Sequence, residues 1–255
     1  MLGWFRRYVR RYLRKHFHRV SLLRGTSPDV PDGQPLIVIM NHPSWWDPML
    51  ALFFSSHFFP ERDHFGPIDA RALERYGILR KLGFFGVELG SPRGAKAFLD
   101  SAKAVLGRPG TGLWLTPQGE FADPRTRPLH FKPGLGHLAK RLGSGQILPL
   151  AVDYVFWEER LPEALAAFGE PIDLAAPSAS AEQWNSRCES SLEAAQDKLA
   201  EASSARRDEA FEQLLGGRGG VGGVYDHWRR WVARVRGDKF DPRHGAIGDQ
   251  TRPAP

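Results

Sequence analysis

Two hydrophobic patterns alternate along this chain. Continuous apolar runs bounded by turn residues are typical of buried strands, whereas apolar residues repeated every three or four positions are typical of helices packed on a sheet. Asp47-Pro48 and Ser91-Pro92 each match a helix start, with a capping residue followed by proline at the first helical position. The predicted strands are 36–40, 84–89, 112–116 and 147–155, and the predicted helices are 47–54, 70–82, 91–106, 135–142 and 181–215.

This alternation predicts an α/β fold, namely a single domain in which helices cover a central mixed sheet. In such folds, functional sites gather beyond the carboxyl ends of the strands. His42 directly follows the strand 36–40, and the turn Gln118-Gly119-Glu120 follows the strand 112–116. We therefore expect the functional residues of this chain to come from these two segments.

The first 25 residues predict a basic amphipathic helix. Its Arg and Lys residues fall mainly on one side, and the other side is apolar, with Leu2, Phe5, Val9, Tyr12, Leu13, His16 and Val20. This pattern favours a helix at a membrane surface, with the apolar side at the acyl boundary and the cations on anionic headgroups. Two alternatives stay open: the apolar side could pack on the protein's own core, or the cations could bind nucleic acid, which needs no apolar stripe.

The charge distribution supports a local role for this segment. Eight of the 35 Lys and Arg residues lie in residues 1–25, which contain no acid, so the remaining 27 face 29 Asp and Glu. The single cysteine, Cys188, excludes an internal disulfide and fits a reducing compartment. No uncharged apolar run approaches the ~20 residues of a membrane span, and no secretory signal is expected. We expect a peripheral protein on the cytoplasmic face of a membrane.

The carboxyl-terminal part predicts three further segments. Residues 216–223 are glycine-rich, and residues 217–222 match G-x-G-x-x-G, but the segment follows a predicted helix rather than a strand, which favours a linker over a dinucleotide site. Residues 225–236 predict a helix with Trp228 and Trp231 on one side, suited equally to a core or a membrane. The predicted division of the chain is a membrane-associating helix (1–25), a catalytic domain (26–236) and a flexible tail (237–255).

The candidate chemistry rests on His42 and Asp47. The chain has no G-x-S-x-G elbow, and no H-E-x-x-H or Cys pair that would indicate a metal site. A histidine can instead act as general base on a substrate hydroxyl, provided that an acceptor holds its other ring nitrogen. Asp47 can reach His42 if residues 43–46 form a tight turn. The alternatives are that Asp47 is only a helix cap and His42 only a turn residue.

At this point NHPSWWD, residues 41–47, resembles the N-H-x4-D motif of the glycerolipid acyltransferases, which include the bacterial 1-acylglycerol-3-phosphate acyltransferases. Three further segments follow in the family's order: TPQGE at 116–120 resembles its F-P-E-G motif, FKPG at 131–134 its lysine-glycine segment, and ILPLAV at 147–152 its apolar proline motif. FGEPI at 168–172 is similar to a late strand and turn. The resemblance covers residues 36–172.

The resemblance implies a mechanism without a cofactor or a covalent intermediate. His42 would take a proton from the acceptor hydroxyl, Asp47 would orient the imidazole, and the oxygen would attack the thioester of acyl-CoA or acyl carrier protein. The implied acceptor is lysophosphatidic acid or a related lysolipid at an anionic membrane, and no nucleic acid is expected. The implied substrate-binding residues are Asn41, Arg93, Thr116, Pro117, Gln118, Gly119, Glu120 and Lys132.

Two departures from the family pattern concern the acceptor. Gln118 replaces the motif glutamate, and Leu89 occupies the position of an arginine, with Arg93 nearby. Lys132, Arg125 or Arg127 could supply the missing charge for a phosphate. Equally, the acceptor could be a glycolipid or amino-acid lipid without a phosphate. A hydrolase or transacylase with the same pair, and an inactive lipid-binding module, are the remaining alternatives.

Overall fold

The computed structural model describes residues 3–88, 90–175 and 179–219. The helices are α1 (Gly3–His16), α2 (Asp47–Phe58), α3 (Ala70–Arg75), α4 (Ile78–Lys81), α5 (Pro92–Leu106), α6 (Gly134–Leu142) and α7 (Ala181–Ser204). The strands are β1 (Arg19–Leu23), β2 (Leu36–Met40), β3 (Asp63–Asp69), β4 (Phe84–Val87), β5 (Thr111–Leu115), β6 (Gln146–Val155), β7 (Glu163–Phe168), β8 (Ile172–Asp173) and β9 (Phe211–Gly216). Position 89, the predicted linker beyond 219, the predicted helix 225–236 and the tail 237–255 lie outside the described residues.

The strands form one mixed sheet, which confirms the predicted fold class. Its order is β4-β3-β5-β2-β6-β7-β1-β9, and β8 pairs with β6. The five strands from β4 to β6 run parallel, whereas β7 is antiparallel to β6 and β9 is antiparallel to β1. The carboxyl ends of β5, β2 and β6 therefore meet side by side at one edge of the sheet.

Strand β2 lies at the centre and is buried on both faces. Leu36, Val38 and Met40 pack into a cluster with α1 and α2, and Ile37 and Ile39 pack into a cluster with α5, α6 and α7. Side chains of a strand point alternately to the two faces, so a strand covered on both sides is apolar throughout. This explains why 36–40 has no polar position.

Helix α1 packs its apolar side on the core. Val9 and Leu13 are buried in the cluster that includes α2 and β2. The helix ends at His16, and Val20, predicted on the same stripe, lies in β1 instead. Thus the alternative in which the stripe faces the core is the one observed, and the exposed side of α1 carries other residues, namely Trp4, Arg7, Tyr8, Arg11, Arg14 and Lys15.

Two helix predictions were wrong in extent. The predicted helix 70–82 is broken at Tyr76 and Gly77 into α3 and α4, because it lies beside the outermost strand, where only Leu73 and Leu82 are buried. The predicted helix 181–215 ends at Ser204, and β9 follows it. Strand β9 pairs with β1, so it covers a sheet edge that a helix could not satisfy.

The predicted division at residues 25 and 236 stays a prediction, although β1, before residue 25, belongs to the central sheet. Among the helices of the described residues, none combines the length and the apolar character that crossing a bilayer requires.

Candidate active site

His42 and Asp47 are in contact at the carboxyl edge of the sheet. His42 lies two residues beyond β2, and its Nδ1 is 2.6 Å from Oδ2 of Asp47. The intervening residues form a tight turn, in which the Asp47 N–H donates to the Ser44 carbonyl at 3.1 Å and the Ser44 N–H donates to Asp47 Oδ2 at 3.0 Å. The predicted turn is therefore present, and it holds the carboxylate against the imidazole.

Asp47 does not serve as the helix cap that its position before Pro48 predicted. Trp46 occupies the cap position without a side-chain capping bond, and Asp47 is the first helical residue. The carboxylate is directed back to Ser44 and His42, so it forms hydrogen bonds within the turn and none with the backbone of the helix end. A carboxylate in the first helical turn is nevertheless favoured by the helix dipole.

The hydrogen bond between the two side chains sets the tautomer of the neutral histidine ring. The Asp47 side chain is 1% exposed and that of His42 is 20% exposed. A buried carboxylate is an acceptor only, so Nδ1 carries the hydrogen in this bond and the lone pair of the neutral ring lies on Nε2. Within the described part of the chain, Nε2 has no hydrogen-bond partner. Nε2 is thus placed to accept a proton from outside the protein.

Tyr154 is a third member of this group, which the sequence analysis did not identify. Its Oη donates to Asp47 Oδ1 at 2.6 Å. Burial, followed by the neighbouring Asp47 carboxylate, raises the pKa of Tyr154 well above its ordinary value, so the hydroxyl stays protonated and remains a donor. A tyrosine that follows the apolar run 147–152 near the end of this strand was the signal that could have indicated it.

The turn after β5 binds the main chain of His42. Gln118 is buried, and its Oε1 accepts from the His42 N–H at 3.1 Å. The Ala122 N–H donates to the His42 carbonyl at 3.0 Å. The two predicted segments are thus brought together, and the side chain of Gln118, predicted to bind substrate, is bonded to the backbone of His42.

The same turn is shaped around Lys132. The Gly119 N–H donates to the Thr116 carbonyl at 2.9 Å, and the Lys132 N–H donates to the Pro117 carbonyl at 2.9 Å. Gly119 has φ of 68°, and a Cβ there would lie 2.9 Å from Nζ of Lys132. The glycine therefore permits both the left-handed backbone and the passage of the lysine over the turn. Glu120, next along the turn, is exposed.

Asn41 lies inside the sheet rather than in the opening of the site. It is 1% exposed, its Nδ2 donates to the Val152 carbonyl at 2.9 Å, and its Oδ1 accepts from the Val152 N–H at 2.8 Å. Each half of the amide forms one bond with the backbone of β6. Asn41 thus joins the end of β2 to β6 and exposes almost no surface to the opening of the site, and its predicted contact with a substrate stays a prediction.

The predicted phosphate-binding cations differ in position and in pairing. Arg125 forms two bonds with Asp123, at 2.6 and 2.8 Å, and Arg127 is 2.5 Å from Asp197. Arg93 is exposed at the start of α5, beyond the outermost strand, β4. This strand lies three strand spacings from β2, about 14 Å. Of these cations, Lys132 is the one whose side chain lies over Gly119 in the turn that holds His42.

Helix α7 holds the segment between the turn and Lys132. Carboxylates on one side of α7 accept backbone N–H groups of this segment: Glu189 that of His130 at 2.7 Å and Glu193 that of Leu129 at 3.1 Å. One turn further along, Gln196 Nε2 donates to the Pro124 carbonyl at 2.8 Å. We call Glu189, Glu193 and Gln196 the α7 clamp.

The described residues contain no group of three or more His, Cys, Asp or Glu side chains arranged to hold a metal ion. Burial raises the pKa of the Cys188 thiol to about 12, and the side chain lies in the core under α7.

Comparison with known proteins agrees with this architecture. Residues 24–153, just over half of the chain, match the family model described as Acyltransferase. The crystal structure of the 1-acyl-sn-glycerophosphate (LPA) acyltransferase PlsC from Thermotoga maritima has a similar fold, with a TM-score of 0.53, 19% sequence identity, and coverage of 76% of this chain and 81% of that chain. No curated protein is significantly similar in sequence. His42, Asp47 and the turn 116–120 all fall within the matched residues.

Proposed function

We propose that this chain, which belongs to the acyltransferase family, is an O-acyltransferase that moves a fatty acyl group onto a lipid hydroxyl. The donor is a thioester, acyl-CoA or acyl carrier protein, and the acceptor is lysophosphatidic acid or a related lysolipid. His42 and Asp47 are the proposed catalytic residues. The enzyme would act in phospholipid biosynthesis, as a peripheral protein on the cytoplasmic face of a membrane.

The contact between His42 Nδ1 and Asp47 Oδ2 carries this proposal. It leaves a neutral imidazole with Nε2 directed away from its acceptor, which is the arrangement that a general base needs. A serine or cysteine nucleophile is not required, because the acceptor hydroxyl itself supplies the attacking oxygen. The family and the geometry therefore point to the same direct transfer.

In the proposed reaction, Nε2 of His42 removes the proton of the acceptor hydroxyl as its oxygen forms a bond to the thioester carbonyl carbon. The resulting tetrahedral intermediate then collapses, the carbon–sulfur bond breaks, and the thiolate takes the proton from Nε2. The products are the ester and the free thiol, and His42 returns to its starting state. Asp47 stabilises the imidazolium between the two steps, as in other His-Asp pairs.

Lys132 is the proposed contact for negative charge in this reaction. It lies over Gly119, in the turn that also holds His42, whereas Arg125 and Arg127 are each paired with a carboxylate, that of Asp123 and that of Asp197. Arg93 could reach only a distant part of a large substrate. Thr116, Pro117, Gly119 and Glu120 are proposed to border the substrate through the shape of the turn.

The pairing of Arg125 and Arg127 also favours a second candidate acceptor. Because both arginines already have carboxylate partners, a lipid without a phosphate, such as a glycolipid or an amino-acid lipid, would leave fewer cations unpaired on binding. Its binding would therefore cost less free energy here than at a site with several unpaired cations. Acyl transfer to such a lipid uses the same chemistry at His42. Comparison of phosphate-bearing and phosphate-free lysolipids separates the two candidates.

Membrane attachment is proposed to use the exposed side of α1. Since Val9 and Leu13 are buried, the apolar stripe is not free for a bilayer. The opposite side presents Trp4 and Tyr8 among four cations, a combination suited to the headgroup region. Replacing Arg7 and Arg11 by Glu should weaken binding to phosphatidylglycerol vesicles, and unchanged binding would contradict this role of α1.

The catalytic assignment is tested by His42→Ala and Asp47→Asn, each assayed for labelled acyl transfer from acyl-CoA. Both variants should lose transfer while keeping the far-ultraviolet circular dichroism of the unmodified protein. His137→Ala is the matched control, because His137 is exposed on α6. Normal turnover by either site variant would contradict the proposal.

A further inference from the structure

Three large aromatic side chains stand exposed around the His42–Asp47 pair. Trp45 is 65% exposed, Phe121 62% and Phe156 65%. Trp45 belongs to the turn between His42 and Asp47, and the ring of Phe121 lies 4.4 Å from that of His42, centre to centre. Phe156 follows Tyr154, the donor to Asp47, by two residues. We call these three side chains the aromatic rim.

The fold places the rim at one edge. Its members come from the loops after β2, β5 and β6, which are adjacent parallel strands with their carboxyl ends together. Each of these three side chains leaves most of its surface exposed to solvent, so packing within the protein does not account for their position. Moving this apolar surface from water into an apolar environment would lower the free energy.

Cations flank the rim on the side of α1. The indoles of Trp45 and Trp46 are 5.4 Å apart, and Trp46 contacts His16, in the last turn of α1, at 5.3 Å. In that turn Arg14 and Lys15 are exposed, and α1 as a whole has no acidic residue. Glu120, beside Phe121, is an exposed acid at the rim itself. The combination of exposed aromatic rings and a basic helix end complements an anionic lipid surface.

We propose that the aromatic rim inserts into the headgroup region of an anionic phospholipid bilayer and so places His42 at the level of the lipid hydroxyls. This inference rests on the proposed function, because it supplies the route by which a membrane-bound acceptor reaches Nε2. The rim acts at the opening of the site, whereas the exposed side of α1 lies along the flank of the domain. The lipid thus enters from the bilayer without crossing water.

The exposed area favours a bilayer over a protein partner. At 62–65% exposure, three aromatic side chains offer roughly 400 Å², about half of the ~800 Å² that each partner buries in a stable protein complex. The indole N–H of Trp45 is instead suited to the headgroup region, and the apolar rings of Phe121 and Phe156 are suited to the acyl boundary just below it. The rim therefore fits a lipid surface better than a second copy of the chain.

The first test places an environment-sensitive fluorophore at the rim. Cys188 is buried, so Phe156→Cys can be labelled selectively, and Tyr76→Cys is the matched control at an exposed site beside the outermost strand. On addition of vesicles of equal parts phosphatidylcholine and phosphatidylglycerol, the label at 156 should shift to shorter wavelength and the label at 76 should not. Equal responses at both positions, or none at 156, would overturn the inference.

The second test compares Phe156→Ser with Tyr76→Ser in sedimentation with the same vesicles. Loss of a rim aromatic should lower the partition coefficient roughly fivefold to tenfold, and the control should bind as the unmodified protein does. Turnover of a monomeric short-chain acceptor should be the same in both variants. Unchanged vesicle binding combined with weaker use of acyl carrier protein would assign the rim to a protein donor and reject the bilayer.

These experiments distinguish failure of the proposed acyltransferase function from failure of the proposed membrane insertion by the aromatic rim. If the unmodified protein transfers acyl groups but the rim variants bind vesicles normally, the rim inference is wrong and the proposed function stands. If rim variants lose vesicle binding but the unmodified protein acylates no acceptor, the docking surface stands and the proposed function is wrong.

Discussion

Tyr154 donates a 2.6 Å hydrogen bond to Oδ1 of Asp47, the carboxylate whose other oxygen accepts from His42. The loop after β2, the start of α2 and strand β6 thus contribute to one chain of hydrogen bonds. Phe17, which follows α1, packs against the Tyr154 ring at 5.9 Å and is itself buried. The contact with Phe17 restricts rotation of the Tyr154 ring and so keeps its hydroxyl beside the carboxylate.

Replacing Tyr154 with Phe should lower kcat about tenfold, with a smaller effect on KM. The ring still packs on Phe17, but Asp47 loses a bond to a charged group, of the kind worth roughly 1.5–3 kcal/mol, and orients His42 less well. Steady-state kinetics on one lysolipid acceptor measure both constants. Tyr76→Phe is the control, since Tyr76 is exposed. A normal kcat in Tyr154→Phe would show that the bond has no catalytic consequence.

Gln118 distinguishes positioning from substrate binding. Gln118→Ala removes the acceptor of the His42 N–H and should reduce kcat several-fold, whereas Gln118→Glu keeps an oxygen at that point and should retain more activity. If Gln118 instead bound the lipid that accepts the acyl group, the two variants would differ mainly in KM. A change in kcat therefore supports positioning of His42, and a change in KM supports binding of the lipid.

The α7 clamp should control the mobility of residues 124–131. Glu189→Ala combined with Glu193→Ala removes the acceptors of two backbone N–H groups, so amide exchange in this segment should accelerate and kcat/KM should fall. Hydrogen exchange with mass spectrometry measures the first effect. Glu201→Ala, an exposed position near the end of α7, is the control. Unaltered exchange in the double variant would mean that the clamp contributes little.

The pH dependence of stability should include a contribution from His64. Its Nδ1 accepts from Trp114 Nε1 at 3.0 Å and its Nε2 donates to the Phe59 carbonyl at 2.9 Å. Burial lowers its pKa below the ordinary value of 6.5, with Arg62 and Arg6 acting in the same direction and the Phe59 bond and Asp63 opposing it. The unfolded chain therefore binds a proton that the folded chain does not, and stability is lost as the pH falls below about 6.5.

Urea unfolding at pH 7.5 and pH 5.5 measures this contribution. The loss of unfolding free energy between the two pH values should be smaller in His64→Gln than in the unmodified protein, because glutamine at position 64 takes up no proton, and the remaining loss belongs to groups such as His16 and His57. His137→Gln, at an exposed position, should show the full loss. An equal loss in all three proteins would show that His64 is not the source.

The central part of the fold was predictable from local patterns. The run 36–40 is apolar at every position because it is covered on both faces, and Ser91 caps α5 with a bond from the Gly94 N–H, as its sequence indicates. In contrast, β1 and β9 are defined by pairing with each other across almost 200 residues. Such pairing leaves no periodic signal within either segment.

The candidate site was predicted in the parts that are close in sequence. His42 and Asp47 are five residues apart, so a tight turn suffices to join them. Tyr154 and the bonds from the β5 turn to His42 depend on which strands are neighbours, which the spacing of motifs does not reveal. The apolar side of α1 packs on the core rather than on a membrane, and this was not predictable for a related reason: helical periodicity identifies the apolar side but not what covers it.

The most direct test of the account is transfer of labelled acyl groups from acyl-CoA and acyl carrier protein to lysophosphatidic acid, with a total lysolipid extract assayed in parallel and His42→Ala beside the unmodified protein. We expect the unmodified protein to form a labelled ester lipid in at least one of these reactions and His42→Ala to form none. Labelled ester in equal amount from both proteins, or release of free fatty acid without any acylated lipid, would contradict acyl transfer by the His42–Asp47 pair.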